Sequence, residues 1–202
     1  MDGEIDSPAP DSLAKGGSRK PRADGQRNRE RLVETAKAVF ADAGTDASLE
    51  EIARRAGVGI GTLYRHFPSR DAIVEAVYRR EVQQLADAAA RLMAEQAPGE
   101  ALHAWMGVFV DYIATKKLIA PALANPAADR SELYATAGAT MTRAMIELVA
   151  RAKAAGEIRA DADPDDLLRA LIGFTYGNTT PGWRASALRL IEILMDGLKP
   201  AR

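Results

Sequence analysis

Residues 48–70 contain two short amphipathic segments separated by a glycine, and they read SLEEIARRAGVGIGTLYRHFPSR. Ser48 and Glu51 have the spacing of a capping box, in which each side chain accepts a backbone N–H at the start of a helix. Gly57 predicts a turn, because a residue without a Cβ adopts the left-handed backbone conformation freely. Pro68 ends the second segment. The stretch is therefore typical of a helix-turn-helix, a pattern that any compact pair of helices can also produce.

Helical periodicity continues on both sides of this pair. From Arg27 to Gly44, apolar residues recur at spacings of three and four, which predicts one preceding helix. The same pattern predicts later helices over about 69–97, 100–117, 130–155, 163–177 and 180–199, with a short broken segment between Pro121 and Pro126. No range alternates with the two-residue period of a strand, so we predict an all-α protein of about nine helices.

These boundaries divide the chain into three regions. Residues 1–26 mix Pro, Gly, Ser, Asp and Lys without periodicity, which predicts a disordered arm. Residues 27–72 form the predicted helix-turn-helix domain, and residues 73–202 form the larger helical domain. The basic residues of the arm either lie along a nucleic acid or only aid solubility. They are Lys15, Arg19, Lys20 and Arg22.

The composition excludes several kinds of site. The 202-residue chain has no cysteine, which removes disulfides, thiolate metal sites and thiol nucleophiles. Its two histidines, His66 and His103, fall in different predicted domains, so we expect no catalytic residue, metal site or cofactor. No apolar run approaches the roughly 20 residues that span a bilayer, and the N-terminus lacks the hydrophobic segment of a secretory signal. We therefore expect a cytoplasmic protein without a membrane partner.

Charge is unevenly distributed along a chain whose net charge is −1. Residues 1–14 carry four acidic residues and no basic one, whereas basic residues exceed acidic ones by five between residues 15 and 80. The remainder is net acidic. A basic excess confined to one stretch is what a phosphate-binding domain requires, although a solvated charge run gives the same count.

Residues 32–78 resemble the N-terminal domain of the TetR family of tetracycline-repressor-like transcriptional regulators. The resemblance is carried by Ala36, Phe40 and Gly44, then by SLEEIA at 48–53, AGV at 56–58 and GTLYRHFPSR at 61–70. A second resemblance, to one actinobacterial-type subgroup, lies near the C-terminus. It is carried by DDLLR at 165–169, PGWR at 181–184 and DGLK at 196–199.

The resemblance implies that double-stranded DNA is the partner of the first domain. The positions that match the family's DNA contacts are Ser48, Ile60, Gly61, Thr62, Tyr64, Arg65, His66 and Arg70. Base edges are within reach of Ile60, Gly61 and Arg65, since a guanidinium can bind both acceptors of guanine. The other five match positions that hold phosphates.

These roles have structural alternatives, and the sequence departs from the family at two positions. Tyr64 and His66 can instead cover the rim of the helix pair, and Arg65 can be solvated surface. Gly59 stands where the family usually has serine, which removes a cap. Arg70 stands where lysine is usual, which keeps the charge and changes its geometry.

The second domain is rich in bulky, soft and aromatic side chains together with a few polar ones, as small-molecule pockets are. The predicted pocket residues are His103, Trp105, Met106, Phe109, Tyr112, Met141, Met145 and Asn178. The resemblance favours a pocket for a mainly hydrophobic effector. Ordinary core packing is the alternative for each residue taken singly.

The last two predicted helices carry broad apolar stripes. The predicted homodimer interface consists of Leu171, Thr175, Trp183, Leu188, Ile191, Leu194 and Met195. In the family these helices pair with their two-fold mates as a four-helix bundle, whereas internal packing is the alternative. A dimer also follows from the first domain, because one helix-turn-helix reads too few base pairs for useful specificity.

Together these patterns predict a homodimeric regulator of transcription, a repressor that binds a pseudo-palindromic operator and is released by a small ligand. The alternatives are a non-specific architectural DNA-binding protein, a helical enzyme and a helical adaptor that has lost DNA binding. A net acidic second domain argues against the architectural protein. Thr62, Tyr64 and His66 argue against the adaptor.

Overall fold

A computed structural model describes residues 20–124, 129–177 and 180–200 and contains eight helices within these ranges. They are α1 (Lys20–Ala43), α2 (Leu49–Arg55), α3 (Ile60–His66), α4 (Arg70–Glu95), α5 (Pro98–Leu123), α6 (Ser131–Ala154), α7 (Pro164–Tyr176) and α8 (Trp183–Leu198). The same ranges contain no strand, which confirms the all-α prediction. No helix among them is long and apolar enough to cross a bilayer.

The first helix begins earlier than the sequence predicts. Residues 20–26 belong to α1, whereas we expected disorder up to residue 26. Side-chain pairs one turn apart stabilise this polar helix start, including an ion pair of Arg27 with Asp24 and a 2.7 Å hydrogen bond from Gln26 to Glu30. Because these pairs are polar, the spacing of apolar residues did not reveal this part of the helix. The rest of the predicted arm, residues 1–19, lies outside the described residues.

The fifth helix continues beyond its predicted end. The sequence places the end at Lys117 and a broken segment from Pro121, but α5 runs through Pro121 to Leu123. Proline lacks a backbone N–H, so near the end of a helix it removes a single hydrogen bond. Burial of Ile119 and Leu123 offsets that loss.

One hydrophobic core runs through the molecule, from α1–α3 into the helices that follow. In the first part, Leu32, Phe40 and Ile52 are fully buried. The small side chain of Ala53, 2% exposed, lies where α2 approaches its neighbours. Farther along, α5 packs against α1, α4, α6, α7 and α8 and is the central helix. The helix α4 contacts α1 on one side and α5 and α6 on the other, so it joins the two parts.

Candidate nucleic-acid interface

The start of α2 is capped as the sequence predicts, but only in one direction. The Ser48 hydroxyl accepts the backbone N–H of Glu51 at 3.1 Å. The Glu51 carboxylate does not complete the predicted box and binds Arg54 and Arg55 at 2.8 and 2.7 Å instead. These hydrogen bonds lower the pKa of Glu51 from 4.5 to about 2, and the bond from Arg54 has a larger effect than the bond from Arg55. The carboxylate is therefore ionised at neutral pH and neutralises part of the charge of both arginines.

The turn between α2 and α3 is the one that Gly57 predicts. Gly57 has φ +65°, in the left-handed region. Its N–H donates to the Arg54 carbonyl at 3.1 Å, and the Val58 N–H donates to the Ala53 carbonyl at 3.0 Å. This pair of bonds is a Schellman motif, which ends one helix and fixes the direction of the next. The angle between α2 and α3 is thus set by backbone hydrogen bonds.

The helix α3 buries one face and presents the other to solvent. Leu63 and Phe67 are 0% and 1% exposed and anchor the helix to α1 and α2. Ile60 and Tyr64 are large side chains left 38% and 47% exposed, and Arg65 is exposed beside them. The sequence of α3 contains no acidic residue. An exposed, acid-free helix face with an arginine suits the major groove of DNA.

The remaining predicted DNA contacts surround this face, with one exception. Gly61 and Ser48 are exposed, and Thr62 and His66 are half-buried at its edges. The exception is Arg70, whose guanidinium donates to the carbonyls of Thr45 and, at 2.7 Å, Ala47. Arg70 therefore fastens the start of α4 to the connection between α1 and α2, a role that its sequence position did not indicate.

Two further polar contacts hold α4 in place, and both join residues that are distant in sequence. The Lys37 ammonium of α1 lies 2.9 Å from the carboxylate of Glu81, which is 6% exposed. Arg130, at the start of α6 and 5% exposed, donates to Glu75 at 3.1 Å and to the Leu123 carbonyl at 3.2 Å. Sequence reasoning missed Arg130, because a lone arginine before a helix carries no signal of burial.

Four of the eight predicted pocket residues form ordinary core. Trp105, Met106, Phe109 and Met145 are all fully buried. The Trp105 indole N–H donates to the backbone carbonyl of Leu85 at 3.0 Å, and its ring lies 5.9 Å from that of Phe109. The prediction that these four residues line a pocket is therefore not supported, since bulky side chains on the central helix α5 are surrounded by neighbours on all sides.

The other four predicted pocket residues have different surroundings. His103 lies at the surface and hydrogen-bonds Glu192 at 2.8 Å, so it does not face the interior. Met141 is half-buried, and Asn178 lies outside the described residues. The Tyr112 hydroxyl, in contrast, is 3.0 Å from that of Tyr78, inside a cluster of polar aromatic groups.

The predicted dimer residues divide between the core and the surface. Leu171, Thr175 and Ile191 are at most 1% exposed and pack within their own chain, so the single chain does not support the prediction that these three contact a partner. An amphipathic stripe does not reveal which of its edges faces inward. Trp183, Leu194 and Met195 are half-buried, and Leu188 is exposed. The large apolar residues exposed on α7 and α8 are Ile172, Tyr176, Leu188, Leu190 and Ile193.

Comparison with known proteins agrees with this architecture. The family model described as "Bacterial regulatory proteins, tetR family" matches residues 32–77, and "Transcriptional regulator SbtR-like, C-terminal domain" matches residues 97–200. A curated HTH-type transcriptional regulator of Staphylococcus aureus is 36% identical over 70 residues, which are 33% of this chain. The match spans only 36% of that relative.

The solved structures that match over nearly their whole length include two TetR regulators. A TetR transcriptional regulator of Streptomyces coelicolor is 43% identical, with 86% of this chain and 99% of that chain covered and a TM-score of 0.77. A TetR transcription regulatory protein of Mycobacterium vanbaalenii is 36% identical, with 88% and 98% covered and a TM-score of 0.74. The predicted family is confirmed: this chain belongs to the TetR family of helix-turn-helix DNA-binding transcriptional regulators.

Proposed function

We propose that this chain is a cytoplasmic repressor that binds a pseudo-palindromic operator as a homodimer and is released by a small organic ligand. The observation that carries the proposal is the exposed face of α3. Ile60, Tyr64 and Arg65 project from it, while Leu63 and Phe67 hold its opposite face in the core. A helix anchored in this way enters the major groove without rearrangement.

Contacts within the groove divide into two kinds. Ile60, Gly61 and Arg65 reach base edges, and Arg65 forms paired hydrogen bonds with a guanine. The hydroxyls of Ser48 and Tyr64 bind phosphates on either side of the groove, together with the half-buried Thr62 and His66. Arg70 contributes indirectly, since two of its donors are occupied by the carbonyls that position α2.

The dimer is formed by the outer faces of α7 and α8. Five large apolar side chains are exposed there, and Ile193 is 67% exposed. A two-fold interface places the same patch of both chains in contact, which covers this surface and fixes the distance between the two DNA-binding domains. That distance must match one turn of DNA, about 34–36 Å.

Selection of bound fragments from the organism's own genomic DNA tests the operator proposal. We expect the enriched fragments to share an inverted repeat with half-sites one turn apart, and each duplex to bind two chains. Enrichment of fragments with no common sequence would instead favour the architectural DNA-binding protein, whose affinity rests on phosphate contacts alone.

A further inference from the structure

A half-buried lysine on α5 lies among tyrosines from three other helices. The Lys116 ammonium of α5 lies 5.6 Å from the ring centroids of both Tyr78 and Tyr134, and 5.4 Å from that of Tyr176. These rings belong to α4, α6 and α7. The Tyr112 hydroxyl, one turn before Lys116 on α5, lies 3.0 Å from that of Tyr78. We call these five residues the tyrosine–lysine cluster.

The cluster lacks an anion. Among the described residues, no carboxylate lies within ion-pair distance of Lys116, and its ammonium contacts the three aromatic rings instead. Lys116 itself is half-buried, and burial lowers its pKa. A desolvated cation attracts an anion more strongly than one in water does, because the surroundings screen the charge less. The faces of the rings stabilise the ammonium in part, but they supply no negative charge.

The tyrosine hydroxyls are hydrogen-bond donors that an incoming anion can use. Burial raises the pKa of Tyr112, and partial burial raises that of Tyr176, above the ordinary value, so both phenols stay protonated at neutral pH. Each phenol donates one proton, and within the Tyr78–Tyr112 pair one of the two donates to the other. The pair therefore keeps one further O–H for a ligand.

The cluster is accessible and lies beside a cleft. Tyr134, on α6 and outside the proposed dimer surface, is 40% exposed, whereas Tyr78 is buried beneath it. Of the five residues, Tyr78 also lines a cleft of about 210 Å³ between α4 and α6, whose other lining residues include Arg79, Leu133 and Thr140. A cavity of about 150 Å³ accommodates benzene, so this cleft has room for a single ring.

We propose that the tyrosine–lysine cluster is the effector site of the repressor proposed above, and that it takes an aromatic carboxylate. The carboxylate binds the Lys116 ammonium and a tyrosine hydroxyl, and the flat carbon skeleton packs against Tyr134 and extends into the cleft. One ammonium and few hydroxyls suit a single carboxylate rather than a more highly charged phosphate. A ligand held against Tyr78 acts directly on α4, which begins immediately after the DNA-binding helices.

Calorimetric titration of the full-length protein with benzoate, phenylacetate and cinnamate tests the ligand class, with the corresponding uncharged amides as controls. We expect at least one acid to bind, and to bind at least tenfold more tightly than its amide. Lys116→Gln should weaken binding of that acid tenfold or more, whereas Lys117→Gln should not, because the Lys117 ammonium lies 3.8 Å from the Trp183 ring and outside the cluster. Lys116→Arg, which keeps the charge, should retain most of the affinity.

Three results would overturn the proposal: no acid binds the wild-type protein at millimolar concentration, an amide binds as well as its acid, or Lys116→Gln binds the acid unchanged. Circular dichroism of each variant separates a local effect from unfolding. Operator affinity is measured on the same samples with and without the acid. If the acid binds but operator affinity does not change, the effector role alone is refuted. If the protein selects no operator, the proposed function is refuted, and the calorimetric titration still tests whether the cluster binds the acid.

Discussion

Arg65 and Tyr64 are neighbours on α3, and their substitution should affect DNA binding in different ways. Arg65→Ala removes a guanidinium that reads a base, so it should relax sequence preference at one position of each half-site, at a cost of about 1–3 kcal/mol. Tyr64→Phe removes a hydroxyl that binds a phosphate and should weaken binding to every sequence about equally. Competition binding against operators with single base-pair changes measures both effects. If Arg65→Ala leaves the sequence preference unchanged, Arg65 is not the residue that reads the base.

Substitution of Arg70 tests whether this residue has a structural role, although it matches a position that binds phosphate in the family. Arg70→Lys restores the residue usual in the family, but an ammonium cannot reproduce the planar donors that bind the carbonyls of Thr45 and Ala47. We expect the free energy of unfolding to fall by about 1–2 kcal/mol. Arg79→Lys, at an exposed position on the same helix, is the matched control. If urea titration gives Arg70→Lys and Arg79→Lys the same free energy of unfolding, Arg70 has no structural role and a phosphate contact becomes the better interpretation.

At the scale of elements, Arg130 is the residue that ties α4 to the ends of α5 and α6. Arg130→Met removes the hydrogen bonds to Glu75 and to the Leu123 carbonyl and leaves the buried carbonyl unpaired, a loss of about 1–3 kcal/mol. The effect of a bound ligand on operator affinity should shrink as well, because α4 is then less firmly coupled to its neighbours. Arg143→Met, at an exposed position on α6, should change neither quantity.

The helices themselves were largely predictable, and the reason is local. Capping at Ser48, the turn at Gly57 and the spacing of Leu63 and Phe67 are each determined within a few residues, so the sequence indicates where α2 and α3 lie and which face is exposed. The start of α1 was not predictable in this way, because polar side-chain pairs hold it.

The interior of the second domain was harder to predict, because burial there depends on helices far apart in sequence. Trp105 and Tyr112 lie on the same predicted helix and have similar aromatic character, yet one is core and the other belongs to a polar cluster. Periodicity distinguishes a buried face from an exposed one but not a packed interior from a ligand site. Lys116 was missed for the same reason.

At the scale of the whole molecule, the proposed dimer depends on the outer face of α8. Ile193→Lys places an ammonium in the apolar interface at a cost of several kcal/mol, and the monomer should still fold, since Ile193 is 67% exposed in the single chain. Light scattering should therefore show a monomer, and operator affinity should fall with it. Ile146→Lys, at a 48% exposed position on α6, is the control and should remain a dimer. A dimeric Ile193→Lys would move the interface to another surface.

The positions of its two tryptophans give the protein an intrinsic optical signal from the second domain. The chain has two tryptophans, and neither lies in α1, α2 or α3. Trp105 is fully buried with its indole N–H on an α4 carbonyl, whereas Trp183 is half-buried beside the Lys117 ammonium. Since α1–α3 contain no indole, a change in tryptophan emission on operator binding must arise in the second domain. The unlabelled protein should therefore report by its own fluorescence whether DNA binding changes the second domain.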